Sequence, residues 1–235
     1  MVRGTVPPVR ALTFDIFGTV VDWYGSIAAE IERLGLPVDG GEFALAWRAG
    51  YEPAMQEVRS GALPWTNIDG LHRRILDRLL AERGIALSPA TADELNRIWH
   101  RLRPWPDSVA GLARLKARHI IATLSNGNLS LLVDMARHAG LPWDAVFSAE
   151  LFGHYKPDPE VYLGAARLLD LPPSHVMMVA AHPGDLRAAA ACGLRTAHVA
   201  RPLERGPGGA VEPWVEGEFD LVAGDIVELA AQLGS

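Results

Sequence analysis

Ala11-Leu12-Thr13-Phe14-Asp15-Ile16-Phe17-Gly18-Thr19-Val20-Val21-Asp22 is the stretch on which the fold turns. A short apolar run stops abruptly at an acid, and a Gly-Thr turn follows at once. Near-continuous apolar runs of this length are what strands buried on both faces look like. An acid at the carboxyl end of a central strand lies where open α/β sheets gather their ligands. Burying that acid without a use is costly, so Asp15 is the leading candidate for a nucleophile.

Four more segments share the pattern. Residues 120–124 end at Ser125-Asn126-Gly127-Asn128, 176–181 at His182-Pro183-Gly184-Asp185, 196–200 at Arg201-Pro202 and 219–223 at Gly224-Asp225. Helical periodicity fills the gaps at 109–117, 129–139, 160–169 and 186–191, with Gly140 and Gly193 as stops. Strand alternating with helix predicts an α/β fold with a doubly wound parallel, Rossmann-like sheet. Residues 23–104 break this rhythm. They show no strand, only helical patterns at 27–34, 42–58, 68–83 and 90–103, and Trp23, Trp47, Trp65, Trp99 and Trp105 lie in or at the edge of them. An all-helical insert after the first strand reads as a cap over that strand's end. The expected division is a core of residues 1–21 and 106–235 and a cap of 22–105, with Asp22 capping the first insert helix. The Gly/Pro-rich stretch 201–217 reads as a long surface loop.

At 235 residues, 49% hydrophobic and 21% charged, the chain is of ordinary globular composition and can bury a sizeable core. A net charge of −6 gives no electrostatic reason to expect nucleic acid. The one cysteine, Cys192, excludes an internal disulfide, suits a reducing compartment, and reads as packing at a helix end. The first ten residues lack the apolar core of a leader peptide, and no apolar run approaches the ~20 residues of a membrane span. The expected location is the cytoplasm. His72, His100, His119, His138, His154, His175 and His198 show no metal-ligand spacing.

The strand ends offer polar residues to one crevice: Asp15 and Thr19, then Ser125 and Asn126, then Lys156 in His154-Tyr155-Lys156-Pro157-Asp158, then His182 and Asp185. Each has a plainer reading. Ser125-Asn126 suits a turn before a helix, Lys156 a surface position, Arg48 the solvent face of an amphipathic helix, Tyr162 packing, and His182 a loop. The ordered set of Asp-x-x-Gly-Thr, strand-Ser-Asn, Lys-Pro-Asp and strand-x-Asp nevertheless resembles the haloacid dehalogenase superfamily across nearly the whole chain. Most of that superfamily are Mg²⁺-dependent phosphatases. They carry a second acid two residues after the nucleophile, to protonate a departing alkoxide, and further carboxylates after the fourth strand for the metal. Here those places hold Phe17 and Ala180-Ala181-His182, with Asp185 the only acid nearby. A halide, unlike an alkoxide, leaves without a proton. The chain is therefore most similar to the type II (L-2-haloacid) dehalogenases, which place an aromatic residue there and use neither metal nor cofactor.

That resemblance implies a reaction. Asp15 would displace halide from the α-carbon of a short 2-haloacid, and water would hydrolyse the resulting ester. Lys156 would keep Asp15 charged, Thr19 would orient it, and Asp185 would position or deprotonate the water. The substrate carboxylate would be bound by Ser125 and the backbone N–H groups around Ile16 and Phe17. Arg48, partnered by Asn126, would cradle the halide, and Tyr162 would contact the nucleophile side of the pocket. The typical Ser-Ser-Asn after the fourth strand is Ala180-Ala181-His182 here, and His182 is expected to replace the asparagine and narrow the pocket, favouring haloacetates and extending to fluoroacetate. Family members are often homodimers, though no interface pattern is legible in this chain. Two other readings stay open at this stage: a Mg²⁺-dependent small-molecule phosphatase of the same superfamily, and a non-catalytic binder of small acids.

Overall fold

The computed structural model describes residues 8–235, so most of the segment read above as leaderless lies outside the described residues. In chain order the elements are β1 (Ala11–Phe14), β2 (Val21–Asp22), α1 (Trp23–Arg33), α2 (Gly40–Ala49), α3 (Tyr51–Arg59), α4 (Ile68–Glu82), α5 (Pro89–Asn96) and β3 (Arg103–Pro104). There follow α6 (Ser108–Lys116), β4 (Ile120–Ser125), α7 (Leu129–Ala139), β5 (Ala145–Ser148) and α8 (Pro159–Leu168). The chain ends with β6 (Val176–Ala180), α9 (Pro183–Ala191), β7 (Arg195–Val199), β8 (Leu221–Ala223) and α10 (Ile226–Gln232).

Six strands form one sheet in the order β5-β4-β1-β6-β7-β8, every neighbouring pair parallel. Side chains alternate between two dry faces. Leu12, Phe14, Ile121, Met177 and Val179 enter one apolar cluster, and Ala11, Leu124, Val176, Met178 and Ala180 the other. Burial on both faces is why these strands read as continuous apolar runs. From β1 the chain winds outward to β4 and β5, then returns to β6 on β1's other side. The switch point thus falls at the carboxyl end of β1, where Phe14 is level with Thr123 and Val179.

The helices α1 to α5 lie between β2 and β3, which pair antiparallel, Val21 with Pro104 and Asp22 with Arg103. Asp22 caps α1, accepting from the Gly25 N–H at 2.8 Å. Ser26 ties the ribbon further, donating to the Asp22 carbonyl at 2.5 Å and accepting from the Arg103 N–H at 2.9 Å. The insert is therefore not free of strand, as its sequence suggested. The helix expected at 42–58 is two, broken at Gly50, with Pro53 in the first turn of α3. That expected at 90–103 ends at Asn96 and tightens into a 3₁₀ turn, Arg97–His100. The edge strand β5 was not foreseen, because its Ala145 and Val146 are only half-buried. Nor is 201–217 purely a surface loop. The Arg201 guanidinium forms a two-bond pair with Asp107 at 2.7 and 2.8 Å, and Glu204 is buried. Among the described residues no helix is long and apolar enough to cross a membrane.

Candidate active site

Asp15 lies one residue past β1, its N–H donating to the Val179 carbonyl at 3.0 Å. Gly18, at φ +87°, turns the chain sharply enough for Thr19 to point back at the acid. Thr19 donates to Asp15 Oδ2 at 2.8 Å and accepts from the Ala181 N–H at 2.9 Å. His182 Nδ1 also lies 3.0 Å from Oδ2, whereas among the described residues Oδ1 receives only the Lys156 Nζ, at 3.0 Å. The same ammonium reaches Asp185 Oδ2 at 2.5 Å, and the Tyr162 hydroxyl donates to Asp185 Oδ1 at 2.5 Å. Asp185 sits in the first turn of α9, where the helix dipole favours a negative charge. Asn126, at the end of β4, clips the lysine segment in place. It accepts from the Lys156 N–H at 2.7 Å and donates to the Lys156 carbonyl at 3.2 Å.

The electrostatics follow from this packing. Burial alone would raise the Asp15 carboxyl, but Lys156 and His182 override it and hold the group well below the usual carboxylate range. Burial likewise works against the Lys156 ammonium, and the Asp15 and Asp185 carboxylates outweigh it, so the lysine holds its proton more tightly than usual. Asp185 is pushed up, chiefly by burial. The His182 ring is opposed by burial but supported by Glu204 and Asp15, and is pushed up to about 10. At neutral pH the cluster therefore holds an anionic Asp15 beside two cations.

An open cavity of about 530 Å³ faces these groups, lined by Asp15, Phe17, Arg48, Asn126, Lys156, Tyr162, His182 and Asp185 among others. Phe17 is packed edge-on against Trp99 and Tyr51 at 5.5 and 6.5 Å between ring centres and closes one wall. Arg48, on α2, stacks over Tyr51 at 4.2 Å and forms no ion pair among the described residues, so its charge is available to an anion. The backbone N–H groups of Ile16 and Phe17 have no protein acceptor among the described residues, although the Ile16 side chain itself is buried away from the cavity. Ser125 is not brought to the cavity. It is fully buried, and its hydroxyl accepts from the Gly127 N–H at 3.1 Å. His182 lines the cavity, with its ring drawn between Asp15 and Glu204 (Nε2 to Oε1, 2.9 Å). No three His, Cys, Asp or Glu among the described residues are arranged to hold a metal ion.

Sequence reasoning missed Glu204, which accepts from the Trp23 Nε1–H at 2.9 Å beside His182, and missed Arg205 and Tyr51 in the lining. A glutamate in a Gly/Pro-rich loop carries no periodicity that could have marked it. What the assembled groups can do is clear from their arrangement. A desolvated carboxylate held ionised, with one oxygen doubly hydrogen-bonded and the other singly, is prepared for nucleophilic attack. Arg48 and the free N–H groups are prepared to receive anions.

Comparison with known proteins agrees. Residues 9–193 match the family model for haloacid dehalogenase-like hydrolases. The chain is 30% identical over 197 residues to the (S)-2-haloacid dehalogenase 1 of Pseudomonas sp. (strain CBS-3), covering 83% of this chain and 86% of that one. The crystal structure of the L-2-haloacid dehalogenase PA0810 superposes with a TM-score of 0.92 at 52% identity, over 96% of this chain and 99% of the other. That of the defluorinating L-2-haloacid dehalogenase Rha0230 gives 0.92 at 49%, over 97% and 96%. Fold, strand-end acids and sequence kinship coincide, and the chain belongs to the haloacid dehalogenase-like hydrolases.

Proposed function

We propose that the chain is a hydrolytic dehalogenase of short 2-haloalkanoic acids, such as L-2-halopropionates and haloacetates, converting them to 2-hydroxyacids and halide. The observation that carries this reading is the pairing of an ionised, buried Asp15 with Phe17. The first supplies a nucleophile, and the second denies a proton to the leaving group. Asp15 attacks the α-carbon, the carbon–halogen bond breaks, and halide departs with the bonding electrons towards Arg48 and Asn126. The substrate carboxylate is held by the free Ile16 and Phe17 N–H groups rather than by Ser125. Water, deprotonated by Asp185, then attacks the Asp15 carbonyl carbon and the hydroxyacid is released. Tyr162 holds Asp185 in place. No metal or cofactor takes part. The similarity to a defluorinating relative supports extending the substrate range to fluoroacetate.

The reading includes a core of 1–21 and 106–235 and a cap of 22–105, a division supported by the β2–β3 ribbon that closes the insert. It also includes a cytoplasmic location, which the single reduced Cys192 suits, and the homodimeric state common in the family. The decisive experiment is halide release from L-2-chloropropionate, chloroacetate and fluoroacetate in EDTA. Release undiminished by EDTA and abolished in Asp15→Asn is expected. Strict Mg²⁺ dependence with phosphate release from phosphomonoesters would replace this reading with the phosphatase one.

A further inference from the structure

We propose that His182 supplies the oxyanion hole for ester hydrolysis, together with Thr19, and that Glu204 is the positioning residue that keeps the ring cationic and aimed. The proposal rests on Asp15 being the nucleophile of the reaction above. It begins with the unequal oxygens of that residue. Among the described residues Oδ2 has two donors, Thr19 at 2.8 Å and His182 at 3.0 Å, while Oδ1 has only Lys156. The less encumbered Oδ1 is the oxygen that attacks, which leaves Oδ2 as the carbonyl oxygen of the ester. Its two donors already stand at the separation that an oxyanion hole requires, about 2.7–3.1 Å.

His182 is a donor in this arrangement and not a base. Both ring nitrogens face carboxylates, Nδ1 the Asp15 Oδ2 and Nε2 the Glu204 Oε1, so both carry hydrogen and neither can accept a proton from water. Alkylation removes the charge of Asp15 but not that of Glu204, which remains to hold the imidazolium. Glu204 has a built seat. The Trp23 Nε1–H donates to it at 2.9 Å, and it packs over Gly18, where a Cβ would lie 2.3 Å from Oε1. The missing side chain in the nucleophile loop is thus the space that Glu204 occupies. Arg201 fixes the loop that delivers it, donating to the Thr19 carbonyl at 2.8 Å.

The step balances. Water attacks Cγ of the ester and gives a proton to Asp185, while the carbonyl electron pair moves onto Oδ2 opposite His182 and Thr19. Collapse restores that carbonyl and breaks Cγ–Oδ1. The departing alkoxide takes a proton from Lys156, which regains one from Asp185 across their 2.5 Å contact. Asp15, now a carboxylic acid bearing the water oxygen, ionises to solvent. A cation on Oδ2 helps this half of the reaction but withdraws charge from the nucleophile in the first half, so the two halves respond oppositely to its loss.

That opposition is the test. Full-length His182→Leu, which removes the donor where asparagine would keep one, and Glu204→Gln are mixed with L-2-chloropropionate under rapid quench, following halide release and the intact-protein mass. The expected result is a halide burst near one per chain, within about threefold of the wild-type rate. Steady-state turnover falls about 10²–10³-fold in His182→Leu, less in Glu204→Gln, and most of the protein carries the mass of the ester. Turnover at the wild-type rate in His182→Leu would overturn the oxyanion role alone. Loss of burst and turnover together, in both variants and with native circular dichroism, would place His182 in the displacement step instead and likewise overturn it. A wild-type chain that releases no halide from any 2-haloacid would overturn the dehalogenase reading, and this proposal with it.

Discussion

Lys156 donates to two buried carboxylates at once, Asp15 and Asp185, and its removal therefore changes both charge and protonation. In Lys156→Met the two acids would share the pocket without their ammonium, and like charges so close cannot both stay ionised at modest cost. The expected loss in kcat/KM is at least about 10²-fold at neutral pH. The pH dependence has a definite sign. The folded-state value of Asp15 is depressed, so its stabilising contribution is present above the ordinary carboxylate value and is lost only as pH falls through the depressed one. Wild-type kcat/KM should accordingly hold its Asp15 ionisation well into the acid range, while the residual activity of Lys156→Met should begin to fall at a higher pH than the wild type's. A steady-state profile from pH 4 to 8 checks this. At the residue scale the sequence identified the anionic cluster well, because motif spacing fixes which strand end each group occupies. Ser125 is instead buried in its own turn, where it accepts from the Gly127 N–H, and nothing in the sequence pointed to Glu204.

At the scale of elements, the seam between the helical insert and the sheet domain is tied by His100 in the 3₁₀ turn. Its Nδ1 lies 2.8 Å from Asp134 on α7, and its Nε2 lies 3.0 Å from Asp69 on α4. Burial opposes the charged ring, and the two carboxylates outweigh it, raising its pKa. A raised histidine stabilises fully below its unfolded value near 6.5 and loses that contribution as pH rises through the folded value. His100→Asn should therefore lower Tm more at pH 5.5 than at pH 9, which paired thermal melts would read. A second contact is purely steric. Gly111 on α6 meets α10 so closely that a Cβ would lie 2.7 Å from Ile226 Cγ2 and 2.8 Å from its carbonyl carbon. Gly111→Ala gains helix propensity but must push backbone apart, for a net loss of about 1–3 kcal/mol in urea unfolding. The sequence foresaw α6 and α7 to within a residue, since each has an apolar stripe and a clear stop. It ran α2 into α3 because the same apolar period continues across Gly50, although Pro53 marked the break.

Across the whole molecule, one apolar cluster runs without interruption from Leu12 and Phe14 under the sheet, through Ile16 and Phe17, to Trp23, Trp47 and Trp99 among the insert helices. Insert and sheet thus share a core. Unfolding in urea should be a single cooperative transition, with tryptophan fluorescence, which reports mainly on the insert, coinciding with far-ultraviolet circular dichroism. Separate midpoints would mean that the insert unfolds alone. What the sequence determined by itself was whatever is encoded locally: buried strands as unbroken apolar runs, helices as apolar stripes, the abrupt acid of Asp15, and the aromatic Phe17 where a proton donor would otherwise stand. Tertiary structure alone decided which residues meet across the fold. It placed Glu204 181 residues beyond Trp23 yet on the same hydrogen bond, seated it over Gly18, and made His182, in the wall of the pocket, a bridge between two carboxylates as well. Such contacts are set by how loops return over the strand ends, and no period in the chain records that.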